Sequence, residues 1–306
     1  MNIVHVAGTK GKGTTCAFTN SILQRYHDTV QVPRKIGLFT SPHLVAVRER
    51  IRINSEPISE AKFAQYFFEV WEALEAGMKR DGLDPSTTSK PTYFKMMTLV
   101  SFHAFMQEGV DTAIYEVGVG GEYDSTNVVD SPAVTGITTL GIDHTATLGK
   151  TIDLIAWHKA GIMKSACPAF TVDQVPEAME VLSKRAIEKD VKLVTLVTNP
   201  ALKDIKLRPN EEFQRMNASL AIELSATVLE RLGINTDRSQ NQLPKEFVEG
   251  LENISWRGRC ETTTTGKQHW YLDGAHNEQS LEVACGWFGR VVQQHTEYVG
   301  EPPTPS

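Results

Sequence analysis

The first fifteen residues constrain the fold most, because an apolar strand there runs directly into glycines and then into a helix. The stretch before Gly8 contains the β-branched residues Ile3, Val4 and Val6, which are typical of a buried parallel strand. Gly8, Gly11 and Gly13 follow, and an apolar helical pattern begins after them. A glycine-rich turn at a helix N-terminus lets backbone N–H groups surround an anion. The segment therefore predicts a phosphate-binding loop that opens an α/β domain.

Lys12 and Thr14 are the side chains that such a loop would use. A lysine supplies a cation for the outer phosphates, and a threonine hydroxyl binds Mg²⁺. The spacing is a variant, because the commonest nucleotide-binding loop has a glycine five residues before Gly11, where this chain has Val6. An ordinary strand-to-helix turn is the alternative, although it requires none of these residue types. We therefore predict a phosphate loop of a variant kind.

Composition and charge narrow the class of protein. The 306 residues suffice for one large domain or two smaller ones, and 41% of them are hydrophobic, as in soluble globular proteins. A net charge of −6 argues against nucleic acid as the main partner. No apolar run approaches the roughly 20 residues that cross a bilayer, and no signal peptide is expected. The scattered cysteines are expected to be reduced, buried thiols: Cys16, Cys167, Cys260 and Cys285.

Strand and helix patterns alternate after the loop, which favours a doubly wound, mostly parallel sheet. In such a sheet the carboxyl ends of the strands face the ligand crevice. Glu116 lies near the end of a strand at 111–117, and His144 lies just past a strand at 133–140. Both are candidate metal ligands, with a structural ion pair and a structural histidine as the respective alternatives. The other strand patterns cover Lys35–Thr40, Ala169–Val172 and Lys192–Leu196.

Arginines alternate with other residues in the segment 48–52. If the segment is extended, its period of two places Arg48, Arg50 and Arg52 on one face. Guanidinium groups bind carboxylates bidentately, so this face suits a substrate that carries several carboxylates. A solvated sheet edge is the alternative, and the local pattern does not decide between the two.

The chain after Cys260 is predicted to start a second domain. Trp256-Arg-Gly-Arg259 forms a compact turn, and a strand at 269–272 and a helix through Trp287 follow it. One strand and one helix do not make a domain, so we expect residues 261–306 to be an incomplete one. Residues 1–260 are expected to form the nucleotide-binding domain that precedes it. The proline-rich end, 301–306, is not expected in a core.

Motifs along the chain occur in an order known from one protein family: Gly8-Thr-Lys-Gly-Lys-Gly-Thr14, Ser41-Pro-His-Leu44, Arg48-Glu-Arg50, Glu116-Val-Gly-Val-Gly-Gly121, Gly141-Ile-Asp-His-Thr145, Lys159-Ala-Gly-Ile162, Trp256-Arg-Gly-Arg259 and Asp273-Gly-Ala-His-Asn277. The chain resembles the folylpolyglutamate synthases of the Mur ligase superfamily, and it resembles the eukaryotic members more than the bacterial ones. The family has a helical segment before the phosphate loop and a Rossmann-like C-terminal domain. Compared with it, the chain is expected to be truncated at both ends.

The resemblance implies an ATP-dependent ligase that adds L-glutamate to the γ-carboxyl group of tetrahydrofolate and folylpolyglutamates. That carboxylate would form an acyl phosphate with ATP, and the amine of glutamate would displace phosphate, so that ADP and phosphate are released. Reduced folates and glutamate would be the partners of a cytoplasmic monomer, with a mitochondrial form as the alternative. The resemblance further implies two Mg²⁺ ions and a monovalent cation.

The resemblance also implies site residues, motif by motif. ATP would be bound by residues from both ends of the chain: Gly8, Thr9, Lys10, Gly11, Lys12, Gly13, Thr14, Thr15, Asn217, Arg259, Asp273 and His276. Magnesium would be bound by Thr14, Ser41, Glu116 and His144. Folate would contact Ser41, Pro42, His43, Arg48 and Arg50. Catalysis would depend on Lys12, His144, Arg259 and a carbamylated Lys159, whose cation is converted to an anion that supports the second metal.

Other functions remain open at this point. A dihydrofolate synthase uses the same ATP chemistry and accepts dihydropteroate, which a folylpolyglutamate synthase would not consume. A nucleotide-binding protein without ligase activity would bind ATP and transfer no glutamate. A GTP-binding switch is disfavoured, because Asn127-Val-Val-Asp130 lacks the lysine of the guanine-reading Asn-Lys-x-Asp motif.

Overall fold

A computed structural model describes residues 1–236, 242–266, 268–275 and 278–299, and an eight-stranded sheet forms its core. The strands are β1 (Asn2–Ala7), β2 (Ile36–Phe39), β3 (Ile51–Ile53), β4 (Glu56–Pro57), β5 (Thr112–Glu116), β6 (Val134–Ile137), β7 (Ala169–Val172) and β8 (Leu193–Leu196). They lie in the order β4-β3-β2-β5-β1-β6-β7-β8, and every neighbouring pair is parallel except β2–β3 and β3–β4, which are antiparallel. The predicted mostly parallel α/β fold is therefore confirmed.

Helices cover both faces of this sheet. They are α1 (Lys12–Val30), α2 (Glu60–Arg80), α3 (Tyr93–Gln107), α4 (Thr145–Leu148), α5 (Ile152–Ala160), α6 (Pro176–Glu188), α7 (Glu212–Arg231), α8 (Lys245–Glu252) and α9 (Glu278–Val299). α1, α7 and α8 share one apolar core with the sheet, which includes Phe18 and Leu224. The opposite face carries two cores, one under α2 and α3 around Tyr115, and one under α5 and α6 around Ile137. This layering buries the parallel strands on both sides.

In the described part of the chain, no helix is both long and apolar enough to cross a bilayer.

The strands beside β1 end level with it. Val6 of β1 pairs with Glu116 of β5, and Ala7 pairs with Ile137 of β6. The loops that leave these strand ends therefore meet at one edge of the sheet. In open α/β sheets ligands bind at this edge, so the fold brings the predicted site residues of several distant segments into one place.

The three arginines of segment 48–52 do not share a face, so that prediction was wrong. Val47–Arg50 is a short 3₁₀ helix, and only Ile51–Ile53 is a strand. A period of two does not hold across this boundary, because a 3₁₀ turn rotates successive side chains by roughly 120°. The partners of the three side chains differ accordingly: Arg48 donates to the Ile58 carbonyl oxygen, Arg50 donates to His43, and Arg52 stacks on Trp256.

A separate two-stranded antiparallel sheet follows the main one, formed by β9 (Glu261–Thr265) and β10 (Gln268–Leu272). The sequence predicted only β10. β9 was missed because its run of threonines lacks the apolar alternation that marks a half-buried strand. The predicted helix through Trp287 is present as α9. The tail 301–306 lies outside the described residues, and the boundary after residue 260 stays a prediction.

Candidate active site

The glycines of the phosphate loop bend the chain at the end of β1. Gly8 and Gly11 have positive φ angles of 147° and 84°, and α1 begins directly after Gly11. The backbone N–H groups of Thr9 and Lys10 both donate to the Thr139 carbonyl oxygen, at 3.0 and 3.1 Å. These hydrogen bonds join the loop to the segment that leaves β6, so the loop is anchored by the protein itself.

Close contacts explain why two of these positions are glycine. A Cβ atom at Gly8 would lie 1.7 Å from the Thr138 hydroxyl oxygen, and one at Gly11 would lie 2.1 Å from the Asn217 amide oxygen. Asn217 comes from α7, and its amide nitrogen donates to Gln214 Oε1 at 3.1 Å. The structure therefore brings the predicted site residue Asn217 against the loop, although the two are far apart in sequence.

Two lysines converge on one carbonyl oxygen of this loop. Lys12 Nζ donates to the Gly8 oxygen at 3.0 Å, and Lys159 Nζ donates to the same atom at 2.6 Å. Lys12 opens α1, whereas Lys159 lies in the last turn of α5. The Lys159 side chain is buried, so its amine faces the phosphate loop rather than water.

The surroundings of Lys159 disfavour its charged form. Burial, reinforced by the positive charge of Lys12, lowers the pKa of Lys159 from 10.5 to about 7. The carboxylates of Asp143 and Asp124 oppose this shift. At neutral pH a substantial fraction of the Lys159 amine is therefore uncharged, which makes it a nucleophile rather than a fixed cation.

Glu116 is the buried carboxylate of the site. It lies at the end of β5, its Oε2 accepts the Ser41 backbone N–H at 2.8 Å, and its Oε1 lies 3.4 Å from where a Gly13 Cβ atom would be. The carboxylate therefore faces the phosphate loop. Burial raises the pKa of Glu116, and groups around it oppose that rise: Lys12, the Ser41 N–H, Arg259 and Arg50.

This arrangement fits a hard cation. Carboxylate and hydroxyl oxygens are the ligands that Mg²⁺ prefers, and here the carboxylate of Glu116 stands beside the loop that carries Thr14. Burying a carboxylate is energetically costly unless a cation accompanies it, so a cation beside Glu116 would stabilise the charged form of this side chain. The residues present therefore suit Mg²⁺ held between Glu116 and the loop.

His144 occupies a more open position. It precedes α4 with a φ of 49°, its side chain is 45% exposed, and its Nε2 lies 4.0 Å from Asp143 Oδ2. Among the residues that the structure describes, no group of three or more His, Cys, Asp or Glu side chains is arranged to hold a metal. The predicted magnesium set contains only one such carboxylate and one imidazole beside two hydroxyl groups, and it stays a prediction.

Two of the predicted folate residues, Ser41 and Arg50, interact with Glu116. Ser41 donates its N–H to that carboxylate and precedes Pro42 through a cis peptide bond. Arg50 is buried, and its Nε donates to His43 Nδ1 at 2.9 Å. A cation that is buried near the end of the central strands is well placed to bind a carboxylate of a ligand.

Arg48 is the exception among the predicted folate residues. Its guanidinium donates to the Ile58 carbonyl oxygen at 2.8 Å and pairs with Glu60 at 3.3 Å. Both partners lie at the start of α2. In the described part of the chain, Arg48 is therefore bound at the start of α2 and not to the other predicted folate residues.

A cavity of about 450 Å³ opens beside the phosphate loop. Its lining includes Thr14 from α1, Gln214 from α7, and Trp256 and Arg259 from the turn after α8. The Arg259 guanidinium donates to the Gly258 carbonyl oxygen at 3.0 Å. The predicted residues Thr14 and Arg259 therefore share one cavity, which is suited to a nucleotide whose phosphates reach the loop.

Asp273, Thr15 and His276 are also predicted to bind ATP, but the first two are not among the described residues that line this cavity. Asp273 accepts the backbone N–H groups of Cys260 at 2.7 Å and Ala275 at 2.8 Å, so both its oxygens stabilise the turn. The Thr15 hydroxyl is fully buried and has no hydrogen-bond partner in the described structure. His276 lies outside the described residues.

Sequence reasoning gave no role to the Trp256 indole or to its contact with Arg52. Trp256 Nε1 lies 3.6 Å from where a Gly13 Cβ atom would be, and the Arg52 guanidinium lies 5.6 Å from the centre of the indole ring. The tryptophan of the Trp-Arg-Gly-Arg motif was the available signal. Its position shows that segment 51–53 and the phosphate loop meet at this ring.

No family model matches the chain, but individual proteins are similar to it. It is 57% identical over 289 residues to a folylpolyglutamate synthase of Neurospora crassa, covering 94% of this chain and 54% of that protein. It is 50% identical over 300 residues to a folylpolyglutamate synthase of Saccharomyces cerevisiae strain FostersO, covering 96% and 54% respectively. The chain thus spans about half the length of the curated relatives that it matches.

A solved structure extends the comparison to bound ligands. The protein in an FPGS–AMPPCP–folate complex is similar to this chain with a TM-score of 0.82 and 27% identity, covering 95% of this chain and 71% of that one. The structural likeness therefore includes nearly the whole chain.

Proposed function

We propose that the chain belongs to the folylpolyglutamate synthase family of Mur ligases and that it adds glutamate to the γ-carboxyl group of reduced folates at the expense of ATP. The observation that carries the proposal is the meeting of Lys12, Lys159 and Glu116 at the phosphate loop. A lysine cation, a nucleophilic amine and a buried carboxylate suit a reaction in which anions must approach one another.

The proposed reaction begins with attack of the folate γ-carboxylate on the γ-phosphate of ATP. An acyl phosphate forms and ADP leaves, after which the amine of glutamate attacks the carbonyl carbon and phosphate departs. The first step brings two anions together, so catalysis is mainly charge neutralisation and positioning. Lys12 neutralises the outer phosphates, Arg259 approaches them from the cavity, and Arg50 and His43 hold the folate carboxylates.

We assign magnesium to Thr14, Ser41, Glu116 and His144, with two ions in all and a monovalent cation in addition. Mg²⁺ bound there would supply positive charge that offsets the negative charge of the phosphates. The oxygen-rich donor set and the buried Glu116 carboxylate support this assignment. Arg48 remains in the proposed folate set as an outer contributor, because its guanidinium is already engaged at the start of α2.

We further assign a carbamate to Lys159. The protonated lysine first loses one proton, and the uncharged amine then adds carbon dioxide and releases a second proton, so that a carbamate anion replaces the lysine cation. A pKa of about 7 supports this reaction, because the amine is then available near neutral pH. The resulting carboxylate would stand next to Lys12, whose charge would stabilise it.

Residues 1–260 are assigned to the ATP-binding central domain, and residues 261–306 to the beginning of the glutamate-ligase domain. The separation of the main sheet from the β9–β10 sheet supports this division. The enzyme is assigned to the cytoplasm, with a mitochondrial form as the alternative, as the resemblance to the family implies. We assign it as a monomer.

Mass spectrometry of tetrahydrofolate incubated with the chain, glutamate and Mg-ATP tests this proposal. We expect a ladder of products that differ by one glutamate each. Dihydropteroate is the matched substrate for the alternative function, and we expect it to remain unchanged. Conversion of dihydropteroate would favour a dihydrofolate synthase. Absence of both products, with Mg-ATP bound, would favour a nucleotide-binding protein without ligase activity.

A further inference from the structure

The loop between β5 and β6 is hydrogen-bonded to the end of α5, the helix that carries Lys159. Glu122 donates its backbone N–H to the His158 carbonyl oxygen at 2.7 Å. The Asn127 amide nitrogen donates to the carbonyl oxygens of Gly161 at 3.3 Å and Glu122 at 3.0 Å. In the sequence, Lys159 lies between His158 and Gly161, the two residues at the helix end that accept these hydrogen bonds. The loop is therefore bound to the helix on both sides of Lys159.

The backbones are in direct contact at this point. A Cβ atom at Gly161 would lie 2.4 Å from Glu122 Cα, so only glycine permits the approach. The loop itself is braced by Asp124, which accepts the N–H of Val119 at 2.9 Å and the hydroxyl of Thr126 at 2.6 Å. The end of α5 is therefore packed against a loop with little freedom to move.

An ion pair joins a third element to the same contact. Arg185 of α6 donates to Glu122 Oε2 at 2.7 Å, and its guanidinium lies 4.6 Å from the centre of the Trp157 ring. The Arg185 side chain is only 13% exposed. Lys189 approaches the same carboxylate at 3.6 Å. The charge of Glu122 thus ties α6 to the loop, and Arg185 also packs on α5 two residues before Lys159.

We propose that Glu122, Asn127 and Arg185 are positioning residues that set the reach of Lys159 toward the phosphate loop. None of them contacts Gly8 or Lys12 in the described structure; they act on the backbone from which the Lys159 side chain extends. A displacement of about 1 Å in an active site can cost 10²-fold in rate, so such bracing has a functional consequence. The inference rests on the proposed function only in assuming that the Lys159 amine takes part in the reaction.

The position of the Lys159 amine can be read from its titration, independently of ligase activity. Trace acetylation across pH 6 to 11, quantified on the Lys159 peptide by mass spectrometry, gives the pH at which this amine becomes reactive. In the parent chain we expect a midpoint near 7. In Asn127→Ala and Glu122→Gln we expect the midpoint to rise by at least about one pH unit, because a displaced amine regains water.

Glu188→Gln is the matched control, since Glu188 is the other partner of Arg185, at 3.1 Å on the solvent side. It should leave the midpoint unchanged. Arg185→Lys keeps the charge but loses the planar fork, and it substitutes for Glu122→Gln if that variant does not fold. A midpoint that stays at the parent value in either folded variant overturns the role of that residue. A parent midpoint near 7 without any glutamate ladder would contradict the proposed function alone.

Discussion

Lys12→Ala is expected to lower the rate of glutamate addition by roughly 10²–10³-fold. The Lys12 amine sits 3.0 Å from the Gly8 carbonyl oxygen, inside the loop that is proposed to hold the phosphates. Its removal takes away a counter-charge at the moment when carboxylate and phosphate approach each other. Steady-state kinetics with tetrahydrofolate, glutamate and Mg-ATP measure the loss.

The control for this variant is Lys184→Ala, which removes an exposed lysine of α6 and should leave the rate within about twofold of the parent chain. Both variants should fold, because the hydrogen bond that Lys12 makes in the structure is to a carbonyl oxygen of its own loop. Turnover of Lys12→Ala at the parent rate would rule out the assignment of the phosphate loop.

Lys159→Ala is expected to lose most turnover and to regain part of it when a short-chain carboxylic acid is supplied. The proposed working group at this position is an anion, and a small carboxylate can enter the space that the shortened side chain leaves. Turnover measured against increasing acetate or propionate, at constant ionic strength, tests the rescue.

Lys159→Met is the matched control, because it fills the space and leaves no room for the acid. This variant should be inactive with and without acetate, and below pH 7 it should unfold at a higher urea concentration than the parent chain. The reason is that burial lowers the pKa of Lys159 from 10.5 to about 7, so folding disfavours its charged form. The resulting loss of stability is complete below pH 7 and disappears as the pH rises from about 7 to about 10.5. A failure of acetate to restore any turnover to Lys159→Ala would argue against a carbamate.

The phosphate loop and the strand ends were predictable because each is a local pattern. Gly8, Gly11 and Gly13 between an apolar strand and a helix specify a loop, and parallel strands place Glu116 at the ligand edge. The meeting of Lys159 with the Gly8 carbonyl oxygen was not predictable from spacing, since the two are 151 residues apart. Only the pairing of β1 with β6 and the packing of α5 bring them together.

Other features depended on hydrogen bonds and strand pairing that override the local sequence pattern. Alternating arginines suggest an extended segment, but the Glu49 carboxylate accepts the backbone N–H groups of Leu44, Val45 and Ala46 and stabilises a turn there instead. The threonines of β9 form a strand because β10 pairs with them, which is a tertiary effect. Local sequence patterns thus predicted the loop and the sheet, whereas the tertiary structure determines which side chains interact.

The most direct test of the proposed mechanism traces an oxygen atom from the folate carboxylate to the released phosphate. Tetrahydrofolate labelled with ¹⁸O in its γ-carboxyl group is incubated with the chain, glutamate and Mg-ATP, and the released phosphate is examined by mass spectrometry. An acyl phosphate transfers one carboxylate oxygen to phosphate in each turnover, so we expect one ¹⁸O atom in every phosphate released with a new amide bond. Unlabelled phosphate formed alongside the amide product would contradict activation of the folate carboxylate by ATP.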